Sequence, residues 1–217
     1  MSETRAVLWD MDGTLIDSEE FHWRAWLNTM ASEGIGITRE QFLSTFGLRN
    51  DSIIPRWLGP ESNPERVVRI GGAKESMYRE LVRANGILPL PGVERWVRRL
   101  HEQGWKQAIA SSAPRLNVEV VLDSTGLAGC FQAIVSAEDV LQGKPDPEVF
   151  LTAAVRLGVP PDRCVVIEDA AAGIEAARRA GMRSIGASRS GKALPAEVSV
   201  RALDLLPEDI FEQLVPF

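Results

Sequence analysis

The sequence predicts an α/β protein with a doubly wound, Rossmann-like parallel sheet as its core and an all-helical cap domain inserted into it. Short apolar runs without polar alternation are typical of strands that are buried on both faces of a parallel sheet. In the second half of the chain these runs alternate with helical patterns, which predicts βαβ units. Between Asp17 and Pro91, by contrast, the chain shows helical patterns and no convincing strand.

Each predicted strand is a short apolar run that ends at polar or turn-forming residues, which is typical of a buried strand. The first run is followed at once by two aspartates, Asp10 and Asp12. The predicted strands span residues 6–9, 107–110, 133–135, 164–167 and 184–187.

The helices of the core are predicted from apolar residues at helical spacing and from residues typical of helix ends. Asp146 is a candidate N-cap, with Pro147 at the first helical position. Gly126 and Gly181 end the second and the fourth of these helices. The predicted core helices span residues 91–101, 114–125, 147–157 and 170–180.

The segment between Asp17 and Pro91 is predicted to contain four helices, separated by glycine-containing breaks such as Gly59–Pro60. We expect residues 17–87 to form a cap domain above the sheet, with residues 1–16 and 88–217 forming the α/β core. The two crossings between these domains, near residues 15–18 and 87–91, would act as the hinge. The predicted cap helices span residues 19–32, 39–45, 50–58 and 64–84.

Composition excludes several classes of protein. The 217 residues carry a formal net charge of −6, which disfavours a nucleic-acid partner. No apolar run is long enough to cross a bilayer, and the first five residues lack the apolar region of a signal peptide. The two cysteines, Cys130 and Cys164, have no metal-ligand spacing and favour a reducing compartment. We therefore expect a soluble, cytoplasmic protein without a membrane partner, and a monomer.

Residues with chemical potential lie at the ends of several predicted strands. Because the carboxyl ends of parallel strands share one edge of a sheet, these residues should meet there. Each one alone has an ordinary interpretation as a turn, a helix cap or a solvated side chain, but their convergence indicates a site. The residues are Asp10 and Asp12 after the first strand, Ser111 and Ser112 after the second, Lys144 in the loop that follows the third, and Glu168 and Asp169 after the fourth.

This set of residues is suited to phosphoryl transfer. Asp10, Asp12 and Asp169 offer the hard oxygen ligands that Mg²⁺ prefers, and the cation would relieve their mutual repulsion. Asp10 can attack phosphorus as a nucleophile while Asp12 acts as general acid and base. Lys144 and Ser111 can neutralise and hydrogen-bond the phosphoryl oxygens.

Four stretches, "DMDGTL", "IASSAP", "GKPDP" and "VIEDAAAGIEAA", resemble the ordered motifs of the haloacid dehalogenase (HAD) superfamily. The resemblance implies that Asp10 is the nucleophile and Asp12 the acid/base. It also implies Mg²⁺ held by Asp10, by the main-chain carbonyl of Asp12 and by Asp169. Glu168 would be either a ligand through water or an acid beside the ligands, and phosphate contacts fall on Ser111, its neighbour Ser112, and Lys144.

The predicted cap resembles that of the subgroup containing β-phosphoglucomutase, phosphoglycolate phosphatase and sugar-phosphate phosphatases. "EEFHWRAW", "GLRNDS" and "KESMY" place His22, Arg49 and Lys74 where that subgroup contacts substrate. His22 and Arg49 also have an ordinary interpretation, as a histidine on a helix surface and a solvated arginine. Phe46 stands where the mutase has a lysine, the loop is one residue shorter, and Ala170 replaces a serine.

These features predict a Mg²⁺-dependent phosphatase acting through an aspartyl phosphate on a small phosphorylated metabolite, a sugar phosphate being favoured. The presence of Asp12 favours phosphate esters over carbon–halogen or carbon–phosphorus bonds. A β-phosphoglucomutase-type mutase is the alternative within the family. Outside it, a non-enzymatic phospho-receiver switch uses a similar residue set, but such domains are shorter and lack a helical insertion. An inactive sugar-phosphate binder is the third alternative.

Overall fold

The computed structural model describes residues 4–59 and 61–216. Residues 1–3 and Phe217, at the two ends of the predicted core, lie outside the described residues, as does Pro60 of the predicted break. The sheet has six parallel strands in the order β3-β2-β1-β4-β5-β6, which confirms the predicted fold class. The strands are β1 (Ala6–Trp9), β2 (Lys106–Ala110), β3 (Ala133–Val135), β4 (Cys164–Glu168), β5 (Arg183–Ala187) and β6 (Val198–Val200).

Helices connect the strands and cover both faces of the sheet. After β1 the chain first forms α1 (Glu19–Ser32), α2 (Arg39–Leu43), α3 (Asn50–Leu58) and α4 (Pro64–Asn85), which we call the helical insertion. The remaining helices are α5 (Val93–Glu102), α6 (Arg115–Thr125), α7 (Glu148–Leu157), α8 (Ala171–Arg179) and α9 (Ile210–Leu214). Among the described residues, no helix has the length and apolar character needed to cross a membrane.

The central strand β1 shows why the apolar runs do not alternate. Val7 and Trp9 belong to the apolar cluster on the face covered by α5 and α6. Ala6 and Leu8 belong to the cluster on the opposite face, which α7 and α8 cover. All four side chains are fully buried, so each position of the strand must be apolar.

The helical insertion has an apolar cluster of its own in addition to its contacts with the core. Trp26 of α1 packs edge-on against Trp57 of α3, with 4.8 Å between the ring centroids. Phe42, Ile54 and Ile70 extend this cluster across α2, α3 and α4. The cluster gives the insertion an internal packing basis that does not depend on the sheet.

The two chain crossings that connect the insertion to the sheet lie side by side. Ile16 forms an isolated antiparallel bridge with Pro89. The Leu90 amide donates to the Leu15 carbonyl at 2.8 Å. The entry and exit of the insertion are thus hydrogen-bonded to each other near the end of β1.

Several predicted boundaries differ from the structure for local reasons. Strand β6 and helix α9 were not predicted, because β6 is a three-residue edge strand that is only partly buried and α9 is short. Helix α2 ends at Leu43 rather than two residues later, where the hydroxyls of Ser44 and Thr45 bond to carbonyls of the preceding turn. Helix α7 begins at Glu148, although its amide still donates to the Asp146 carboxylate at 3.0 Å.

Asp139 ties two helices to the end of β3. Its carboxylate accepts hydrogen bonds from Arg156 of α7 at 2.6 Å, from Arg115 of α6 at 2.8 Å and from the amide of Ser136 at 2.8 Å. The hydrogen bond from Arg156, followed by those from Ser136, holds the pKa of this carboxyl below its ordinary value, although burial opposes the shift. The ionised form is therefore the stabilising one.

We expect Asp139→Asn to lower the free energy of unfolding by about 1–3 kcal/mol at pH 7, since it weakens charge-assisted hydrogen bonds. A depressed folded pKa means that the stabilisation is present above the unfolded pKa of about 3.9 and is lost as the pH falls below it. The deficit of the variant should therefore shrink at pH 3. Denaturant unfolding at both pH values measures it, with the exposed Asp123→Asn as control. A deficit of the same size at both pH values would contradict this role of the charge.

Candidate active site

The central pair of strands brings three carboxylates to one edge of the sheet. Strand order changes direction between β1 and β4, which is where open α/β sheets bind their ligands. Asp10 directly follows β1, and its amide continues the pairing with β4 by donating to the Ile167 carbonyl at 3.0 Å. Glu168 is the last residue of β4, and Asp169 follows it. The parallel register of the two strands therefore places all three acids together.

Lys144 lies among these acids. Its Nζ is 2.6 Å from Asp10 Oδ1, 2.7 Å from Glu168 Oε1 and 3.1 Å from the Ala110 carbonyl oxygen at the end of β2. Burial alone would lower the pKa of this ammonium group, but the charges of Asp10 and Glu168 outweigh burial and raise that pKa. Lys144 is therefore a permanent positive charge beside Asp10.

The acids form a candidate metal centre. Asp10, Glu168 and Asp169 each offer a carboxylate oxygen, and these atoms all lie within 4.8 Å of one another. Burial, with a contribution from the neighbouring acids, raises the pKa of Asp10 well above its ordinary range and that of Asp169 to about 7. One ammonium group does not balance three carboxylates, so the set fits a divalent cation with a preference for oxygen ligands.

Two glycines allow these acids to reach their positions. Gly13 has a φ of +86°, and a Cβ at this residue would collide with the carboxylate of Asp169. A Cβ at Gly173 of α8 would collide with the carboxylate of Glu168. Glu168 is anchored further by the Ala170 amide, which donates to its Oε2 at 2.8 Å. The glycines of the two motifs thus provide space for carboxylates, in addition to conformational freedom.

The carboxylate of Asp12 lies apart from this acidic group. Its Oδ1 accepts hydrogen bonds from Ser18 Oγ at 2.5 Å and from His22 Nε2 at 3.3 Å. The sequence predicts a side-chain cluster of Asp10, Asp12 and Asp169, but the cluster in the structure contains Glu168 instead of Asp12. The Asp12 side chain is directed elsewhere because Ser18 and His22, at the start of α1, bind it. Burial would raise the pKa of Asp12, but His22 and Ser18 outweigh it and lower that pKa. A metal contact through the main-chain carbonyl of Asp12 stays a prediction.

The two serines follow β2, the strand on the other side of β1. Ser111 is buried, and its Oγ accepts a hydrogen bond from the Ala113 amide at 3.1 Å. Ser112 lines the cavity described next. Both serines thus follow the strand that is paired with β1, and their contacts with phosphate stay a prediction.

A cavity of about 470 Å³ lies between the sheet edge and the helical insertion. Asp12 and Ser112 line it from the sheet, and His22, Arg49 and Lys74 line it from the insertion. The structure therefore brings the three predicted cap residues to one space that Asp12 also faces. Arg49 crosses this space, since its Nη1 donates to the Ala137 carbonyl of the core at 3.1 Å.

A model of the family described as haloacid dehalogenase-like hydrolases matches residues 4–181. The chain belongs to this hydrolase family. The predicted family and the prediction of an enzyme of the HAD type are thereby confirmed. Hexitol phosphatase B of Escherichia coli K12 is 39% identical to this hydrolase over 188 residues, which are 83% of this chain and 82% of that protein. Beta-phosphoglucomutase of Bacillus subtilis is 31% identical over 226 residues, 94% of this chain and 95% of that protein.

Solved structures agree with the family assignment of this hydrolase. Beta-phosphoglucomutase from Clostridium difficile superposes with a TM-score of 0.86 at 27% identity, covering 97% of this chain and 96% of that one. CbbY from Rhodobacter sphaeroides, solved in complex with xylulose-(1,5)bisphosphate, superposes with a TM-score of 0.84 at 28% identity, covering 94% and 96%. Both comparisons include the helical insertion as well as the sheet.

The hydrolase has further polar residues at this cavity or in contact with its lining that sequence reasoning missed. Ser18 donates to Asp12, and Glu75 and Arg79 of α4 contact Asn117 of α6. Asn117 carries a usable signal, since a polar residue interrupts the otherwise apolar buried side of α6. Glu75 gives no comparable signal, because it stands beside Lys74 in a helix that carries many charged residues.

Proposed function

We propose that this hydrolase is a Mg²⁺-dependent phosphatase that releases phosphate from a small phosphorylated sugar or sugar alcohol. The observation that carries the proposal is the buried contact of Asp10 with Lys144, inside a group of acids suited to a divalent cation. The names of the relatives, a hexitol phosphatase among them, support a sugar-derived substrate. In this proposal residues 17–87 form the cap and residues 1–16 and 88–217 the catalytic core.

The metal ligands would be Asp10, Asp169 and the main-chain carbonyl of Asp12, with Glu168 beside them. When bound, Mg²⁺ supplies positive charge that offsets both the carboxylates and the phosphate of the substrate. Lys144 adds a second positive charge beside Asp10 and is already held in place by Glu168. Electrostatic preorganisation of this kind is a large term in phosphoryl transfer.

Catalysis then proceeds in two steps on the chain's own carboxylates. A carboxylate oxygen of Asp10 bonds to phosphorus while the bond from phosphorus to the sugar oxygen breaks. Asp12, which takes up a proton from solvent when the negatively charged phosphate binds beside it, passes that proton to the departing sugar oxygen. In the second step Asp12 takes a proton from water, which attacks the phosphorus and releases phosphate from Asp10. Lys144 and Ser111 bind the phosphoryl oxygens throughout.

The cavity favours hydrolysis over a mutase reaction. A mutase must bind a second phosphate group far from Asp10, which calls for available positive charge. Arg49 is paired with Asp51, and Lys74 is paired with Glu75. Glu138 and Arg79 also line the cavity with opposite charges, and Arg79 is held by Asn117 Oδ1. The balance of charges suits an uncharged, hydroxylated remainder of the substrate.

A screen of phosphorylated metabolites for released inorganic phosphate tests the proposal. The panel contains hexitol and hexose 6-phosphates, 2-phosphoglycolate and β-glucose 1-phosphate, the last also assayed for conversion into glucose 6-phosphate. We expect phosphate release from sugar or sugar-alcohol phosphates. Isomerisation of β-glucose 1-phosphate without net release would establish the mutase instead. A stable phosphoprotein formed with acetyl phosphate, without turnover of any substrate, would support the receiver-type switch.

Replacing Arg49 tests whether the insertion recognises the substrate. We expect Arg49→Ala to lower kcat/KM for the best sugar phosphate by about tenfold, since a charged hydrogen bond contributes about 1.5–3 kcal/mol. A small aryl phosphate, which does not reach across the cavity, should lose less than about twofold. Steady-state kinetics on both substrates give the comparison, with the exposed Arg66→Ala of α4 as the matched control. Equal losses on both substrates would contradict a role in recognition.

A further inference from the structure

Glu75 is a buried carboxylate that the proposed reaction does not use. It lies in α4 with 7% of its surface exposed. Its Oε1 accepts from Asn50 Nδ2 at 2.7 Å and from Lys74 Nζ at 2.9 Å, and its Oε2 accepts from Asn117 Nδ2 at 2.6 Å. Burying a charge is costly unless it is paired and hydrogen-bonded. Both carboxylate oxygens of Glu75 accept hydrogen bonds. This indicates that the charged side chain holds the donor side chains around it in position.

One of these contacts joins the helical insertion to the core. Asn117 belongs to α6, which begins just after the Ser111–Ser112 loop, and it is fully buried. Its Nδ2 donates to Glu75, while its Oδ1 accepts from Arg79 Nη1 at 3.0 Å. Glu75 and Arg79 are one turn apart on α4, so the insertion holds both ends of a single amide. We call these three residues the Glu75 clamp.

The other contact leads from the clamp to Asp12. Lys74 Nζ lies 2.8 Å from His22 Nδ1 as well as bonding to Glu75. An ammonium group only donates hydrogen bonds, so His22 Nδ1 must accept and the ring proton must be on Nε2. That Nε2 lies 3.3 Å from Asp12 Oδ1. The position of Lys74 therefore fixes which nitrogen of His22 faces Asp12.

Both donors to Asp12, Ser18 and His22, bond to the same oxygen, Oδ1. Among residues 4–59 and 61–216, the other oxygen, Oδ2, has no hydrogen-bond partner. Holding Oδ1 leaves Oδ2 available for proton transfer to the leaving group. Precise orientation of this kind is what an acid/base carboxylate requires.

We infer that Glu75 is a positioning residue that couples closure of the insertion over the core to the alignment of Asp12. Contact with Asn117 requires α4 and α6 to lie together. The same carboxylate holds Lys74 against His22, which in turn donates to Asp12. When the insertion moves away from the core, Glu75 loses a donor and its hold on this chain of contacts weakens. The inference rests on the proposed role of Asp12 as the acid/base.

Leaving-group dependence tests the inference kinetically. We expect Glu75→Gln to lower kcat/KM for sorbitol 6-phosphate by about tenfold to a hundredfold, part of what general acid–base catalysis contributes. Hydrolysis of p-nitrophenyl phosphate needs little protonation of its leaving group and should fall less than about threefold. Glu80→Gln, an exposed change in the same helix, is the control for both substrates. Equal losses on the two substrates, or no loss, would overturn the inference.

The ring proton of His22 gives a second measurement that needs no turnover. The chain has two histidines, and the other, His101, is exposed on α5 and serves as an internal reference. In ¹⁵N-labelled wild-type protein we expect long-range ¹H–¹⁵N spectra to show His22 protonated at Nε2 alone, and in Glu75→Gln a mixture of both tautomers. An unchanged His22 spectrum in the variant would overturn the inference. If the wild type releases no phosphate from any substrate, but the tautomer state of His22 still differs between the wild type and Glu75→Gln, the proposed function alone is contradicted.

A second variant covers the case in which Glu75→Gln does not fold. Asn117→Ala removes the core half of the Glu75 clamp and leaves Glu75, Lys74 and His22 in place. We expect a smaller loss of kcat/KM with the same dependence on substrate. We also expect His22 to show a mixture of both tautomers, as in Glu75→Gln. If Asn117→Ala behaves like wild type in both measurements, closure and alignment are not coupled through Glu75.

Discussion

Replacing Asp10 with Asn should abolish phosphate release from every substrate of the wild-type enzyme. We expect kcat to fall by about 10⁴-fold or more, because removal of a nucleophile eliminates the covalent route. The fold should survive, since the side chains have nearly the same shape and Asn carries no charge that burial would disfavour. Burial raises the pKa of Asp10 well above its ordinary range, so the native carboxylate is itself unfavourable there.

Kinetics and thermal unfolding of the same preparation separate these effects. Asp123→Asn, an exposed change in α6, is the matched control and should retain full activity. An Asp10→Asn variant that still releases phosphate from all substrates would rule out Asp10 as the nucleophile. A melting temperature within a few degrees of wild type would show that the loss is chemical.

Removal of divalent metal should have the second largest effect. After treatment with EDTA we expect no measurable turnover, and full recovery when Mg²⁺ is added in excess. The physical reason is the uncompensated charge of Asp10, Glu168 and Asp169, whose oxygens lie within 4.8 Å of one another. At a concentration of about 100 times its Kd, Mg²⁺ should stabilise the fold by about 2.7 kcal/mol, or roughly 5–10 °C in melting temperature.

The variant Asp169→Asn distinguishes a specific site from a general effect of salt. It should need at least about tenfold more Mg²⁺ for half of its maximal activity, and its melting temperature should respond less to the ion. Calcium-free buffers of constant ionic strength control for screening. Turnover that is unaffected by chelation, together with a melting temperature that ignores Mg²⁺, would contradict a metal centre in these acids.

Much of the fold could be predicted because its signals are local. A strand such as Ala6–Trp9, buried on both faces, must be apolar at every position, and Gly126 ends α6 as its left-handed conformation requires. Strand β6 could not be predicted in the same way, because it lies at the edge of the sheet and is only partly buried. Its existence depends on β5 being beside it.

The candidate site divides along the same line. That Asp10 and Asp169 meet follows from topology, because both stand just past the ends of neighbouring parallel strands. The side-chain partners of Asp12 depend on Ser18 and His22, whose positions are set by how α1 packs. Glu75 shows the limit most clearly, since a charged residue of a polar helix becomes buried only where α3 and α6 approach it.

The hydrogen bond between Leu15 and Leu90 has a further consequence for how such enzymes diversify. The chain leaves and re-enters the sheet region at neighbouring points. The intervening helices are therefore attached to the core at one place. A segment of different length could be joined at the same two points without changing the register of the strands. Under the proposed function, exchange of this one continuous segment would change substrate preference and leave the residues that follow β1, β2 and β4 in place.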